Sequence, residues 1–280
     1  MDLADKKSLP IGKEGYSLIN KQTNNHTFVI CAYKESPYLE QAIESLLNQT
    51  LKSQIIMVTS TPNDYLAQIA SKYQFPIFSH RDGSIGKDWN FGLSKVTTKY
   101  ATIAHQDDIY CPEYLQTCMG MFQKNPDALI AFTDYDEMKD NQVIPKSRNM
   151  KIKRILLAPL KYFKHNRLIR NRVLALGCAI CCPAVTYNLH TLSNFQFNHQ
   201  MTVSLDWEAW YRIAQKKGAF CYSDRSLMYH RIHEESETTQ AIQDSRREQE
   251  DQYMFEKFWP KWMANFLMKF YSKSQDSNNG

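Results

Sequence analysis

From residue 27 the chain alternates between unbroken apolar runs and longer stretches in which apolar residues recur every three or four positions. TFVICA (27–32), QIIMVT (54–59), FPIFS (75–79) and YATIA (100–104) have the length of buried strands. Leu39, Ala42, Ile43, Leu46 and Leu47 follow the first run at helical spacing. Leu66, Ile69, Ala70 and Tyr73 follow the second, and Ile85, Trp89, Leu93 and Val96 the third. Ser36-Pro37 reads as the N-cap and first-turn proline of the first helix. Thr61-Pro62-Asn63-Asp64 reads as a capping-box start for the second, with Asp64 in the cap. The order β-α-β-α-β-α-β implies a parallel sheet with helices packed on its faces. Ligands of such sheets bind beyond the carboxyl ends of the strands.

Further on, 113–124 is predicted to be a helix and ALIAFTDY (128–135) a strand, after which the alternation stops. Residues 175–188 are apolar and expected to be buried. SLDWEAWYRIAQKKG (204–218) reads as a helix ending at Gly218, and 218–233 as short strands. Residues 240–273 read as helical with a break at Pro260. Residues 1–26 are expected to form an N-terminal arm, 27–235 one domain and 236–280 a helical tail whose last few residues, SKSQDSNNG, are disordered.

Composition narrows the classes. The chain has 280 residues, 43% of them apolar, enough for a sizeable core. A net charge of +5 is too small to imply a nucleic-acid binder, and none is expected. Seven cysteines without C-x-x-C or zinc-ligand spacing read as reduced thiols of a cytoplasmic protein. The polar start MDLADKKSLP has no apolar signal region, and no run reaches the ~18–20 apolar residues of a membrane span. Peripheral contact with a membrane surface stays open.

The chemistry concentrates at IAHQDDIYCP (103–112). Asp107 and Asp108 stand just past the fourth predicted strand, where two adjacent carboxylates repel each other and lose solvation. A hard cation such as Mg²⁺ or Mn²⁺, shared with a diphosphate, relieves both costs. A turn or a helix cap is the plainer alternative. His105, as the last strand residue, is expected to point away and is left out of the metal set. Neither a P-loop nor G-x-G-x-x-G follows the first strand.

Four segments in order resemble the family-2 glycosyltransferases: FVICAYKESPYLEQAIESLLNQT, IAHQDDIYCPEYL, SLDWEAWYRIA and YHRIHEESETT. The resemblance covers about residues 27–235. It implies the GT-A fold: α/β, with a Rossmann-like, mostly parallel sheet, helices on both faces and, here, a C-terminal helical extension. The domain then divides into a nucleotide-sugar-binding half, 27–135, and an acceptor-binding half, 136–235. The resemblance implies that Tyr33 lies against the nucleotide base and that the backbone near Ala32 contacts it. Glu35 and Ser60 stand beside them on the donor side, and Asn90, with Lys87 and Asp88, is a looser donor contact. Asp108 would bind a Mn²⁺ or Mg²⁺ ion held by the donor diphosphate, with Asp107 on the sugar or ribose. His233 would approach the metal or diphosphate from the opposite side, with weaker claims for His230 and Arg231. One departure is plain. Where the family usually has Val-Asp-Asp-Gly-Ser, this chain has Val58-Thr59-Ser60-Thr61-Pro62. The base-reading carboxylate is missing, which leaves uridine as the expected but unsupported base.

Glycosyl transfer also needs a base for the incoming hydroxyl. LDWEAW offers Asp206 and Glu208, which point in different directions on a helix, so one of them faces the donor. Asp206, at the helix start, is the expected base. Glu208, Trp207 and Trp210 are weaker acceptor-side candidates, with core packing the plainer role for the tryptophans. Residues 151–172 hold eight Lys or Arg and no Asp or Glu. They suit a solvated helix face, an anionic membrane or a lipid-diphosphate acceptor. Phe255, Phe258, Trp259, Trp262, Phe266 and Phe270 recur at helical spacing among lysines, fitted to dock on the protein or, through 255–273, on a membrane. The expected activity is metal-dependent, inverting transfer from a nucleotide sugar, a UDP-sugar first, to a glycan or lipid-linked hydroxyl in surface-polysaccharide synthesis. The alternatives are a nucleotidyltransferase and a nucleotide-sugar-binding protein without turnover.

Overall fold

The computed structural model describes residues 25–233 and 246–276, of which 272–276 by backbone alone. The expected arm before residue 25, residues 240–245 of the expected helical segment and the last four residues lie outside the described part.

The elements run β1 (His26–Cys31), α1 (Leu39–Leu47), β2 (Gln54–Thr59), α2 (Asp64–Tyr73), β3 (Ile77–Ser79), α3 (Ile85–Lys95) and β4 (Tyr100–His105). A short β5 (Ile109–Tyr110), α4 (Tyr114–Lys124), β6 (Ala128–Lys139) and β7 (Gln142–Val143) follow. Then come α5 (Arg148–Leu157), α6 (Leu160–Phe163), α7 (Arg167–Leu174), β8 (Val185–Asn188), α8 (Leu205–Ala214), β9 (Ala219–Arg231), α9 (Arg246–Phe258) and α10 (Lys261–Asp276).

The sheet order is β3-β2-β1-β4-β8-β6-β9-β5, with β7 paired to β6. β3, β2, β1 and β4 are mutually parallel, while β8 is antiparallel to both β4 and β6. The chain leaves β1 toward β2 and β3, then crosses back to place β4 on the other side of β1. That reversal opens a crevice between the carboxyl ends of β1 and β4. Core residues alternate along β1: Phe28 and Ile30 join one cluster with Leu39, Ile43, Leu66 and Leu115, while Val29 packs with Ile56 and Val58 on the other face. Gly92 of α3 makes the second contact close, since a Cβ there would lie 2.5 Å from Val29 Cγ1.

Local signals differ from expectation at three points. Helix α1 starts after Tyr38, which has no side-chain cap; Ser36 instead accepts the Tyr38 N–H at 3.3 Å, two residues before the cap position. The cap of α2 is Asn63, whose Oδ1 accepts the Leu66 N–H at 2.9 Å, so Asp64 is the first helical residue. The short strands expected over 218–233 are one long strand, β9, whose pairing with β6 shifts register around Ser223–Tyr229.

Residues 151–172 fold as helices laid against the sheet, and several of their cations serve the protein's own body. Arg154 pairs with Asp134 and Lys161 with Asp224 at 2.5 Å. Arg170 is buried and donates to the Gly218 and Lys216 carbonyls. The tail divides in the same way. Met254 and Phe255 of α9 and Ala264 of α10 are buried in the core cluster around Trp207, with Phe258 and Trp259 packed on it. Trp262, Phe266 and Phe270 are exposed.

Candidate active site

Three loops meet at the crevice. The Ala32 N–H bonds the Val58 carbonyl at 2.9 Å, tying β1 to β2. Gln106 then holds the Tyr33 backbone at both ends, accepting its N–H at 2.9 Å and donating to its carbonyl at 3.2 Å. Lys34 takes a left-handed conformation, φ 54°, and its N–H reaches Thr61 Oγ1 at 2.6 Å. These bonds leave the Tyr33 ring and Glu35 exposed at the rim.

Asp108 forms the floor. Its side chain is fully buried. Oδ1 accepts the Arg231 N–H and faces His230 Nδ1, both at 3.0 Å. Oδ2 has no hydrogen-bond partner, and His105 Nδ1 stands 3.7 Å away. Asp107 Oδ2 lies 2.9 Å from His233 Nε2. Burial opposes charge on both Asp107 and His230. The His233 hydrogen bond and the neighbouring imidazoles nevertheless hold the Asp107 carboxyl below its usual range, and the Asp108 carboxylate raises His230 to about 9. Arg231 is buried too. Its guanidinium donates to the Asp107 carbonyl, Asn141 and Gln41, and sits 4.2 Å from the Tyr38 ring centre.

A hard divalent cation fits this arrangement. Ligand atoms of His105, Asp107 and Asp108 lie within 4.8 Å of one another, and a buried carboxylate oxygen without a partner is the atom a cation would satisfy. His105 thus points toward the pair, not away. Its ring stacks on Trp89, 5.6 Å between centroids, and that packing turns it inward. His230 and Arg231, the weaker candidates, are the closest partners of Asp108, while His233 meets Asp107.

On the donor side, Ser60 donates to Asp88 Oδ2 at 3.0 Å, and His80 Nε2 lies 2.8 Å from the other oxygen. Burial raises the Asp88 pKa. A carboxylate therefore stands behind Ser60, supplied by α3 and not by the loop after β2. Asn90 does not line the crevice: both ends of its amide bond the Phe197 backbone, at 2.7 and 2.9 Å. It fastens α3 to the loop before α8.

Asp206 opens α8. Its Oδ1 accepts the Trp207 N–H at 2.7 Å and its Oδ2 the Cys178 S–H at 3.4 Å. Burial raises its pKa, while both bonds favour the charged form. The Cys181 thiol is raised by burial and by the charges of both Asp108 and Asp206, which places it near both carboxylates. The start of α8 is held from the tail. Glu250 accepts the N–H groups of Thr202, Val203 and Ser204 at 2.8–2.9 Å, and Ser204 Oγ donates to Asp251 at 2.6 Å.

The other acceptor-side candidates are elsewhere. Trp207 and Trp210 are fully buried core residues, and Trp207 Nε1 donates to the Leu174 carbonyl. Their helix turns them inward, so neither presents a face to a sugar. Glu208 binds Arg212 Nε with both oxygens, at 2.7 and 2.9 Å.

The family model for glycosyl transferase family 2 matches residues 27–190, and the chain belongs to that family. An uncharacterized glycosyltransferase of Rickettsia typhi is 24% identical over 227 residues, 77% of this chain and 66% of that protein. One from Rickettsia conorii is 25% identical over 217 residues, 75% of this chain and 34% of that protein. The chain therefore spans about two thirds and one third of these relatives' lengths. Among solved structures, Staphylococcus aureus TarS 1–349 in complex with UDP matches with TM-score 0.60 at 12% identity, covering 87% of this chain and 69% of that one. The mannosyltransferase PcManGT of Pyrobaculum calidifontis, in complex with GDP-Man and Mn²⁺, matches with TM-score 0.62 at 12% identity, covering 91% and 74%. The fold is of the GT-A type.

Proposed function

We propose that this chain transfers a sugar from a UDP-sugar to a hydroxyl of a glycan or lipid-linked acceptor, by metal-assisted inverting displacement, in the assembly of a surface polysaccharide or related glycan. The observation that carries the reading is Asp108, buried with one oxygen bonded by β9 and the other without a hydrogen-bond partner. Asp108, with Asp107 and His105, would hold a Mn²⁺ or Mg²⁺ ion. That ion would neutralise charge developing on the leaving diphosphate.

With the diphosphate at the end of β4, the nucleoside extends toward β1 and β2, over Tyr33, Ala32 and Ser60. The Ser60 proton is donated to Asp88, so its oxygen faces the donor as an acceptor. That polarity suits the imide N–H of uracil, which cytosine and adenine lack. The sugar points the other way, toward Asp206. Asp206 takes the proton of the acceptor hydroxyl as its oxygen attacks the anomeric carbon. The bond from that carbon to the diphosphate oxygen breaks, and the configuration inverts. Arg231 and His230 hold the acidic pair in place. A lipid-linked acceptor would have the chain working at the inner face of a membrane.

Melting temperature against UDP, GDP, CDP and ADP, each with and without Mn²⁺, tests the donor site on wild type and Asp108→Ala. The expected result is a Mn²⁺-dependent rise with UDP that Asp108→Ala abolishes. No rise with any nucleotide would overturn the reading. A rise without release of UDP from any donor–acceptor pair would favour binding without turnover.

A further inference from the structure

We propose that the outer faces of α5–α7 and α10 form a seat for an anionic lipid bilayer. Nine of the thirteen exposed large apolar side chains among the described residues fall in 152–176 and 262–270. Trp262, Phe266 and Phe270, exposed by 68, 54 and 60%, recur every four residues and form one stripe along α10. The opposite side of that helix, Ala264 and Tyr271, packs on the core. The helix is thus apolar on two sides, and its own domain covers one of them.

The two exposed regions adjoin. The Tyr271 ring occupies the place of a Cβ on Gly177, 2.5 Å from it, and the Lys153 charge acts on the Tyr271 hydroxyl. Phe270 and Leu176, both exposed, are each one residue from that contact. Ile152 and Ile155 lie on the exposed side of α5 next to Lys153, and Tyr162 and Phe163 follow in α6. The loop carrying Gly177 also carries Cys178, the partner of Asp206. The surface therefore borders the proposed acceptor side.

Charge selects the occupant. Residues 146–176 and 257–275 contain no Asp or Glu. Lys146, Arg154 and Lys161 are paired with carboxylates, but Arg167 bonds the neutral Gln215, and Arg172 and Lys257 lie over aromatic rings, so their charges are retained. A two-fold contact between copies would set this cationic face near itself. A bilayer with anionic headgroups matches the cations, and its interface accepts tryptophan and phenylalanine. The proposal needs neither the donor nor the metal assigned above.

Flotation of the full chain tests it, on vesicles of phosphatidylcholine alone and of phosphatidylcholine with phosphatidylglycerol. The expected result is flotation with the anionic vesicles, reduced by high salt. The triple variant Trp262→Gln, Phe266→Gln, Phe270→Gln should stay at the bottom with an unchanged melting temperature. Wild type that fails to float, or a triple variant that floats as well as wild type, overturns the proposal. So does a wild-type dimer that the triple variant splits, which would assign the face to a second copy. Should the triple variant melt early, Trp262 decides. It is the one exposed tryptophan of the five, Trp259 being half-buried and the other three buried. Quenching by brominated lipid that disappears in Trp262→Phe supports the seat, and quenching that persists overturns it.

Discussion

His230 Nδ1 lies 3.0 Å from Asp108 Oδ1, across 122 residues of sequence, and the N–H of Arg231 reaches the same oxygen. The end of β9 thereby holds one carboxylate oxygen and leaves the other facing His105. Charge on His230 is disfavoured by burial but held by Asp108, so at neutral pH the ring is a donor. Removing that support should loosen a bound cation. His230→Gln is expected to weaken Mn²⁺-dependent UDP binding by about 10–100-fold, the usual cost of losing a ligand's supporting bond. Asp108→Asn should weaken it further. Calorimetric titration of UDP with and without Mn²⁺ checks both, and unchanged affinity in His230→Gln would confine that residue to packing.

Asp206 is raised by burial and lowered by the bonds from Trp207 and Cys178. A base works only above its pKa, so the acid limb of kcat should lie above the ordinary carboxylate range. Cys178→Ala removes a donor to the charged form and should move that limb to higher pH. Asp206→Asn should reduce kcat by about 10²–10⁴-fold with UDP affinity retained. A pH–rate profile of the three proteins is the measurement. An acid limb that does not move in Cys178→Ala would separate that thiol from the base.

The first half of the fold was legible because its signals are local. Each strand from 26 to 105 is an apolar run, and each helix between them has its stripe within one turn-length of the next. The acidic pair was legible for the same reason. Its partners were not. His105 reads as a strand-end residue facing away, and only its stacking on the Trp89 ring shows why it turns inward. Asn90 reads as a loose donor contact only through the family resemblance. Its true partner, Phe197, is 107 residues distant. Trp207 and Trp210 closely follow Asp206 in sequence, yet 100° per residue sends them into the core. The loop after β2 has no carboxylate of its own; Asp88, which no spacing rule links to Ser60, stands behind it.

Glu250 carries no signal of its role in the sequence, since one acid in SRREQEDQY reads as a solvated helix face. It gathers three consecutive backbone N–H groups at the turn before Asp206. Glu250→Ala should lower stability by about 1–2 kcal/mol, the scale of a lost helix cap. It should also lower kcat while leaving UDP affinity intact, because the turn it holds carries Asp206, the proposed base, and not the donor site. Urea melts, steady-state kinetics and UDP titration together decide. A variant that loses UDP affinity in step with kcat would mean that Glu250 supports the whole domain and not the α8 turn alone.

His26, at the start of β1, is buried with Nδ1 2.7 Å from Ser53 Oγ and Nε2 2.9 Å from Thr102 Oγ1. Burial lowers its pKa from 6.5 to about 3. A histidine depressed in the folded state stabilises the fold fully above its unfolded value and loses that contribution as pH falls, because the unfolded chain binds the proton first. Between pH 6.5 and 3 the loss approaches one proton, about 1.4 kcal/mol per pH unit. His230 works in the other direction, with its pKa raised to about 9, so its contribution is full below 6.5 and fades as pH rises through 9. Below pH 6 it is protonated in both states and adds no slope. His26→Gln therefore isolates the acid limb: it keeps a polar group between Ser53 and Thr102 but cannot take the proton. Urea melts at pH 6 and pH 4 should show a smaller fall in stability for the variant than for wild type. Equal falls would mean that the carboxylates, and not His26, set the acid stability of this fold.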